Sequence, residues 1–480
     1  MLGSTLFYGK VIGALGVGAT FLNVYLDNHS IITKKPVVGK SNKLKDIKGA
    51  DGIRISKNMQ LSEKKCFENI LVVGATGSRK TTSLFYPNLL SDCIKGSIII
   101  LDAKGELYRD TANYQRSIGR EPILFSPLDH MHSWKYNPLE QAKDLTEVRE
   151  LSQTLLINGV KAIELSSGKS GGNDSTWINM ALPLLVASML YCKGKGRPMN
   201  TITEALRLII NHSTEEIDLL FSNCKEDIKE QYNIFKTSLE SPKTASSIKV
   251  TLATNLQIFL DKNIEKLTSE TEFTPEELRE KPIALYVSYN DQKANYLSPF
   301  LSIFYSQMIT HLIENYSEES LPVYFMFDEF ATATGQILNF HNTVAVSRSR
   351  ELSFLVCLQS ISQLFQLYGR DNGLTILNNL KTKCILPSIS ETSTLSYASE
   401  LCGYVDVKKK STSRSGNNTS ISYSATKEKM FAESNIRELK INEMLIIAHN
   451  LAPVKDYLNI YYENESYSTY VYPEEFPERF

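Results

Sequence analysis

Short apolar runs ending at glycine or acidic residues punctuate the chain, and apolar positions between them recur at helical spacing. Residues 69–73 (NILVV) run into Gly74, and residues 97–102 (SIIILD) end on Asp102. Runs without a polar face read as strands buried on both sides of a parallel sheet. Residues 81–94 fit a helix between them, giving a strand–helix–strand unit. The same texture returns at 283–287 (IALYV), 323–327 (VYFMF), 353–358 (SFLVCL) and 384–387 (CILP). A long amphipathic helix through Leu297, Phe300, Leu301, Phe304, Met308 and Leu312 follows the first of these. Strands alternating with helices predict an α/β fold with a mainly parallel sheet.

The middle of the chain differs. Leu145, Val148, Leu155 and Leu156 keep a helical period, residues 177–192 carry no charge, and Ser213 with Glu216 forms a capping box before Ile217. Residues 141–280 are read as an all-helical insertion. The α/β domain then comprises residues 69–140 and 281–460, a lysine-rich linker with short strands occupies 31–68, and 461–480 is a tail. Residues 408–424 (KKKSTSRSGNNTSISYS) are polar, basic and serine-rich, and read as a mobile loop.

Composition narrows the class. Apolar residues make up 42% of the 480-residue chain, enough for a real core and against disorder. The 52 Lys and Arg against 53 Asp and Glu exclude a bulk electrostatic nucleic-acid binder, so such binding needs a local patch. The seven cysteines are scattered without a CxxC pair and imply neither zinc nor a disulfide framework. Residues 11–26 are uncharged, and Lys34, Lys35, Lys40, Lys43 and Lys45 follow. That stretch makes residues 1–30 a candidate membrane anchor with the rest on the cytoplasmic side. If it does not span, the chain is a soluble cytoplasmic protein; a buried helix would carry the same pattern.

Candidate chemistry sits at the strand ends. Gly74, Ala75, Thr76, Gly77, Ser78, Arg79, Lys80, Thr81 and Thr82 follow the first strand and open a helix. There, backbone N–H groups and a helix N-terminus can cradle phosphate, Lys80 can reach the β/γ oxygens, and Thr81 can offer a hydroxyl to Mg²⁺. Arg79 replaces the second glycine of GxxxxGK[ST], which makes fast turnover a weaker expectation than binding. Without context, an ordinary glycine turn reads the same way. Residues 323–327 deliver Asp328 and Glu329 to a strand end, Asp328 toward Mg²⁺ and Glu329 toward the attacking water. Gln359, after another strand, can sense phosphate. Arg348, or else Arg350, is the candidate arginine finger. Lys408, Lys409, Lys410 and Arg414 are a candidate DNA-contacting patch, with the solvated loop as the plainer alternative.

Together these segments resemble the type IV secretion system coupling proteins, the conjugative transfer ATPases of the TraG type. Residues 71–81 resemble their phosphate loop, and residues 101–108 (LDAKGELY) their DPKGE segment, with Ala103 for proline. Residues 136–139 (YNPL), 327–331 (FDEFA), 345–350 (AVSRSR), 358–360 (LQS), 368–369 (YG) and 376–379 (ILNN) continue the match from about residue 65 to 455. The resemblance implies a RecA-like P-loop motor domain interrupted by an all-α domain. It implies a homo-hexamer with ATP and Mg²⁺ at subunit interfaces, and a channel for DNA, single-stranded by this reading. Docking to a relaxase–DNA complex and to secretion channel proteins at the inner membrane, with its lipid, is implied as well. By position, Lys80 and Thr81 bind nucleotide, Asp328 and Glu329 handle metal and water, Gln359 senses phosphate and Arg348 acts in trans. Family members usually begin with two membrane spans; one apolar stretch precedes the motor here. Two other readings fit: a nucleotide-binding secretion receptor with weak hydrolysis, and a DNA translocase or packaging motor outside secretion.

Overall fold

The computed structural model describes residues 30–32, 41–167, 174–239, 242–415, 418–448, 450–476 and 479. The apolar stretch 11–26 lies outside the described residues. Among those described, no helix is long and apolar enough to cross a membrane.

The strands in chain order are β1 (Ser30–Ile32), β2 (Ile70–Val73), β3 (Ser97–Asp102), β4 (Glu121–Phe125), β5 (Ile283–Ser288), β6 (Val323–Phe327), β7 (Leu352–Leu358), β8 (Thr382–Ile385), β9 (Tyr404–Ser415), β10 (Asn418–Lys429), β11 (Glu443–Ala448) and β12 (Val454–Tyr457). Nine of them form one sheet in the order β12-β11-β8-β2-β7-β6-β3-β5-β4. The run from β8 to β4 is parallel throughout. Only β11 and β12 turn antiparallel, at one edge. The expected α/β class with a mainly parallel sheet is therefore what the chain adopts.

The strands lack a polar face because both faces are covered. Leu71 and Val73 of β2, Ile99 and Leu101 of β3, and Phe325 and Phe327 of β6 enter one apolar core with the helices between β4 and β5. Their alternates, Ile70, Val72, Ile98, Ile100, Tyr324 and Met326, enter a second core on the opposite face. Alternation along a strand sends neighbours to opposite faces, so a fully apolar run is the signature of a sheet between two layers.

The first layer is helical. Between β4 and β5 the described residues hold helices such as Leu145–Ser167, Asp174–Lys195, Ile202–Asn211 and Pro242–Asn255, and no strand. The capping box forms as expected: Glu216 N–H donates to Ser213 Oγ (3.1 Å) and Ser213 N–H to Glu216 Oε2 (2.6 Å).

Three local expectations are corrected. Residues 44–67, read as linker, bury Leu44, Ile47, Ile53, Ile55, Leu61 and Cys66 in the second core. Their apolar positions keep no period, because the segment meets the sheet through irregular turns. Helical structure after the phosphate loop covers Thr81–Phe85 and Tyr86–Leu89 and stops short of residue 94. Leu90 leaves the helical conformation (φ −101°, ψ 27°) as its N–H closes the last turn on the Tyr86 carbonyl. Residues 408–415 and 418–424 are not a loop: β9 and β10 pair antiparallel along their whole length, and β1 pairs with β9. Residues 421–427 of β10 are exposed on both faces, so no alternation marks that strand in the sequence.

Candidate active site

Strand β2 lies between β7 and β8, wholly buried, and delivers Gly74 to its carboxyl end. The chain then turns sharply. Gly77 has φ 77° and Arg79 has φ 68°, both left-handed. Arg79 therefore takes the backbone shape that the missing glycine would take. Its side chain leaves the loop and donates from Nη1 to Asn442 Oδ1 (2.8 Å). At Gly74, a Cβ would collide with Ser78 Oγ. Lys80 is buried, and its Nζ donates to the Gly74 carbonyl (2.9 Å) while standing 3.5 Å from Glu329 Oε1.

The neighbouring strand ends complete the constellation. Thr81 Oγ1 donates to Asp328 Oδ2 (2.6 Å), and Gln359 Nε2 faces both Glu329 oxygens at 3.3 and 3.4 Å. Loop, acidic pair and amide come from β2, β6 and β7, which are adjacent in the sheet. Burial pushes the Asp328 carboxyl up to about 6; the Thr81 hydroxyl and the Lys80 charge oppose it. Asp328 Oδ1 is buried with no hydrogen-bond partner. An anionic oxygen left bare next to a threonine hydroxyl suits a hard cation such as Mg²⁺. Lys80, Thr81, Asp328 and Glu329 line a cleft of about 470 Å³.

With this geometry in place, the comparison with known families is decisive. A family model described as "Type IV secretory system Conjugative DNA transfer" matches residues 24–477. The chain belongs to that family. As a coupling protein it is similar to the VirD4 proteins of Rhizobium radiobacter and of Agrobacterium fabrum (strain C58), each 27% identical over 72% of this chain. The matches cover 49% and 51% of those two proteins, so this chain spans about half the length of the curated relatives it matches. Among solved structures, the conjugative coupling protein TrwBΔN70 superposes with a TM-score of 0.69 at 16% identity, covering 94% of this chain and 96% of that one. TrwB in complex with ADP and Mg²⁺ gives 0.68 at 15%, covering 94% and 97%. At such identity the likeness concerns the fold, which is the RecA-like one expected.

This coupling protein does not bring its two arginines to its own cleft. Arg348 and Arg350 precede β7, whereas Gln359 follows it. The seven residues of β7 separate the ends by roughly 20 Å. Arg348 pairs with Glu68 at 3.3 Å, and Arg350 lies 5.8 Å from the Tyr316 ring centre. Of the basic patch, Lys408 and Lys409 are exposed, and Lys409 pairs with Glu428 at 2.8 Å.

Sequence reading missed several residues of the cleft. Asp102 ends β3 and accepts from Tyr108 N–H (2.9 Å); burial pushes its carboxyl up to about 6, against the backbone N–H groups around it. Tyr461 and Tyr462, assigned to a tail, line the same cleft as the phosphate loop. The SIIILD run could have flagged Asp102 as another acidic strand end. Nothing in local pattern links residues 461–462 to residue 81; only the fold does.

Proposed function

We propose that this chain is the ATP-driven motor of a conjugative type IV secretion apparatus. It couples a DNA–relaxase substrate to the secretion channel at the cytoplasmic face of the inner membrane and moves single-stranded DNA as a homo-hexamer. The observation that carries this reading is the convergence of Lys80, Thr81, Asp328, Glu329 and Gln359 at three adjacent strand ends. TrwB solved in complex with ADP and Mg²⁺, and with a non-hydrolysable ATP analogue, supports ATP as the nucleotide.

In the proposed mechanism the backbone N–H groups of residues 74–82 hold the phosphates. Lys80 turns from the Gly74 carbonyl to the β/γ oxygens. Thr81 and Asp328 would hold Mg²⁺, which would supply positive charge to the bound triphosphate. Glu329 takes the proton of the attacking water as the bond from the γ-phosphorus to ADP breaks, and Gln359 keeps that carboxylate aimed. Arg348 lies too far from its own cleft to act there, so it serves a neighbour's cleft in the ring.

Arg79 in the glycine position supports a second reading, a receptor that binds nucleotide and hydrolyses it weakly. ATPase activity of the purified chain, with and without single-stranded DNA, separates the two. The motor reading expects DNA to stimulate turnover and Lys80→Ala to abolish it. Wild-type turnover in Lys80→Ala would overturn the site assignment. A DNA-indifferent, near-zero rate in the wild type would favour the receptor.

A further inference from the structure

The cleft has an aromatic wall that phosphate chemistry does not use. Tyr86, one turn past the phosphate loop, is buried and donates from its hydroxyl to Asp110 Oδ2 (2.6 Å). Tyr461 stacks on Tyr86, ring centres 4.2 Å apart and planes 17° apart. Tyr462 meets Tyr461 edge-on at 5.4 Å and 79°, and is 52% exposed. The turn Tyr461–Glu463 is fixed just beyond: Asn464 N–H donates to the Tyr461 carbonyl (3.2 Å), and the Tyr467 hydroxyl accepts from Arg54 Nη1 (2.7 Å). All three rings line the cleft with Thr81 and Thr82.

A half-exposed tyrosine held rigidly by a stacked pair, at the rim of a phosphate cradle, is a platform for a flat ring. We infer that Tyr462 is the nucleobase platform of this site, and that Tyr461 is a positioning residue seated on Tyr86. The inference rests on the reading that residues 74–82 hold a triphosphate. Stacking scales with ring area and needs no hydroxyl, so the platform favours purines over pyrimidines.

Calorimetric titration of the full chain with ATP, CTP and inorganic tripolyphosphate tests this. Removing the ring in Tyr462→Ala should weaken ATP binding by roughly ten- to a hundredfold, the scale of one base–aromatic stack. Tripolyphosphate binding should be unchanged, the preference for ATP over CTP should shrink, and Tyr462→Phe should bind ATP as the wild type does. Wild-type ATP affinity in Tyr462→Ala would overturn the inference, as would equal losses in Tyr462→Ala and Tyr462→Phe. So would a matching loss of tripolyphosphate binding, which would place Tyr462 in the phosphate cradle or the fold. Failure of the underlying reading looks different: Lys80→Ala would then bind tripolyphosphate as tightly as the wild type.

Discussion

Arg79 shows how one residue can break a sequence pattern yet keep its geometry. A left-handed backbone costs a residue with a Cβ about 1–2 kcal/mol, which glycine avoids. Glycine in turn loses about 0.5–1 kcal/mol more chain entropy on folding. Arg79→Gly also gives up an exposed hydrogen bond to Asn442. The expected net gain is therefore small, about 0.5 kcal/mol, with turnover kept or raised; denaturant unfolding and steady-state ATPase rates check both. A collapse of activity would show instead that the guanidinium takes part. Asp328 makes a second prediction. Its folded value of about 6 lies above the ordinary 3.8, so between those pH values the native state holds a proton that the unfolded chain has released. Stability therefore falls as pH rises through that window and stays lower above it. Asp328→Asn should gain up to about 3 kcal/mol at pH 7.5 and nothing near pH 4, read by urea unfolding. Ionised Asp328 is also the form that would hold a cation, so Mg²⁺-dependent turnover should decline as pH drops below about 6.

Among elements, the β9–β10 ribbon departs furthest from its local pattern. An amphipathic strand advertises itself by alternation, but residues 421–427 of β10 are exposed on both faces and have none. The ribbon's base is tied down by Val405 and Val407, which are buried, while Ile421 and Tyr423 are exposed. Replacing residues 408–427 by a short turn should leave thermal unfolding and ATP affinity unchanged. If the ribbon's lysines contact DNA, the same excision weakens single-stranded DNA binding and flattens its salt dependence. Intact DNA binding in that variant would assign the contact elsewhere. The buried strands were the opposite case. β2, β3, β5, β6 and β7 were legible because each is buried along its whole length and mostly apolar, and β2, β3, β6 and β7 end at or run into Gly74, Asp102, Asp328 and Gln359.

At the scale of the molecule, β7 separates Arg348 from the strand end where Gln359 meets Glu329. One chain cannot close that gap without unpicking its central sheet. A ring in which each subunit offers Arg348 to the next resolves it, and mixing tests that arrangement. Combining Arg348→Ala subunits with Glu329→Gln subunits should restore ATPase activity above either variant alone, because some interfaces then hold both intact groups. No recovery at any mixing ratio would count against an arginine supplied in trans.

The amino-acid sequence alone determined the strand–helix alternation, the phosphate loop and the acidic pair. Each is a local pattern of burial, turn chemistry or charge within a dozen residues, and such patterns follow from the chain's own periodicity. Only the tertiary structure decided what lies next to what. It turned residues 44–67 from apparent linker into core, carried Tyr461 and Tyr462 from an apparent tail to the rim of the cleft, and set Arg348 at the far end of β7. The physical reason is that those neighbours are brought together by packing across long stretches of chain, and no residue's local preference encodes a contact hundreds of positions away.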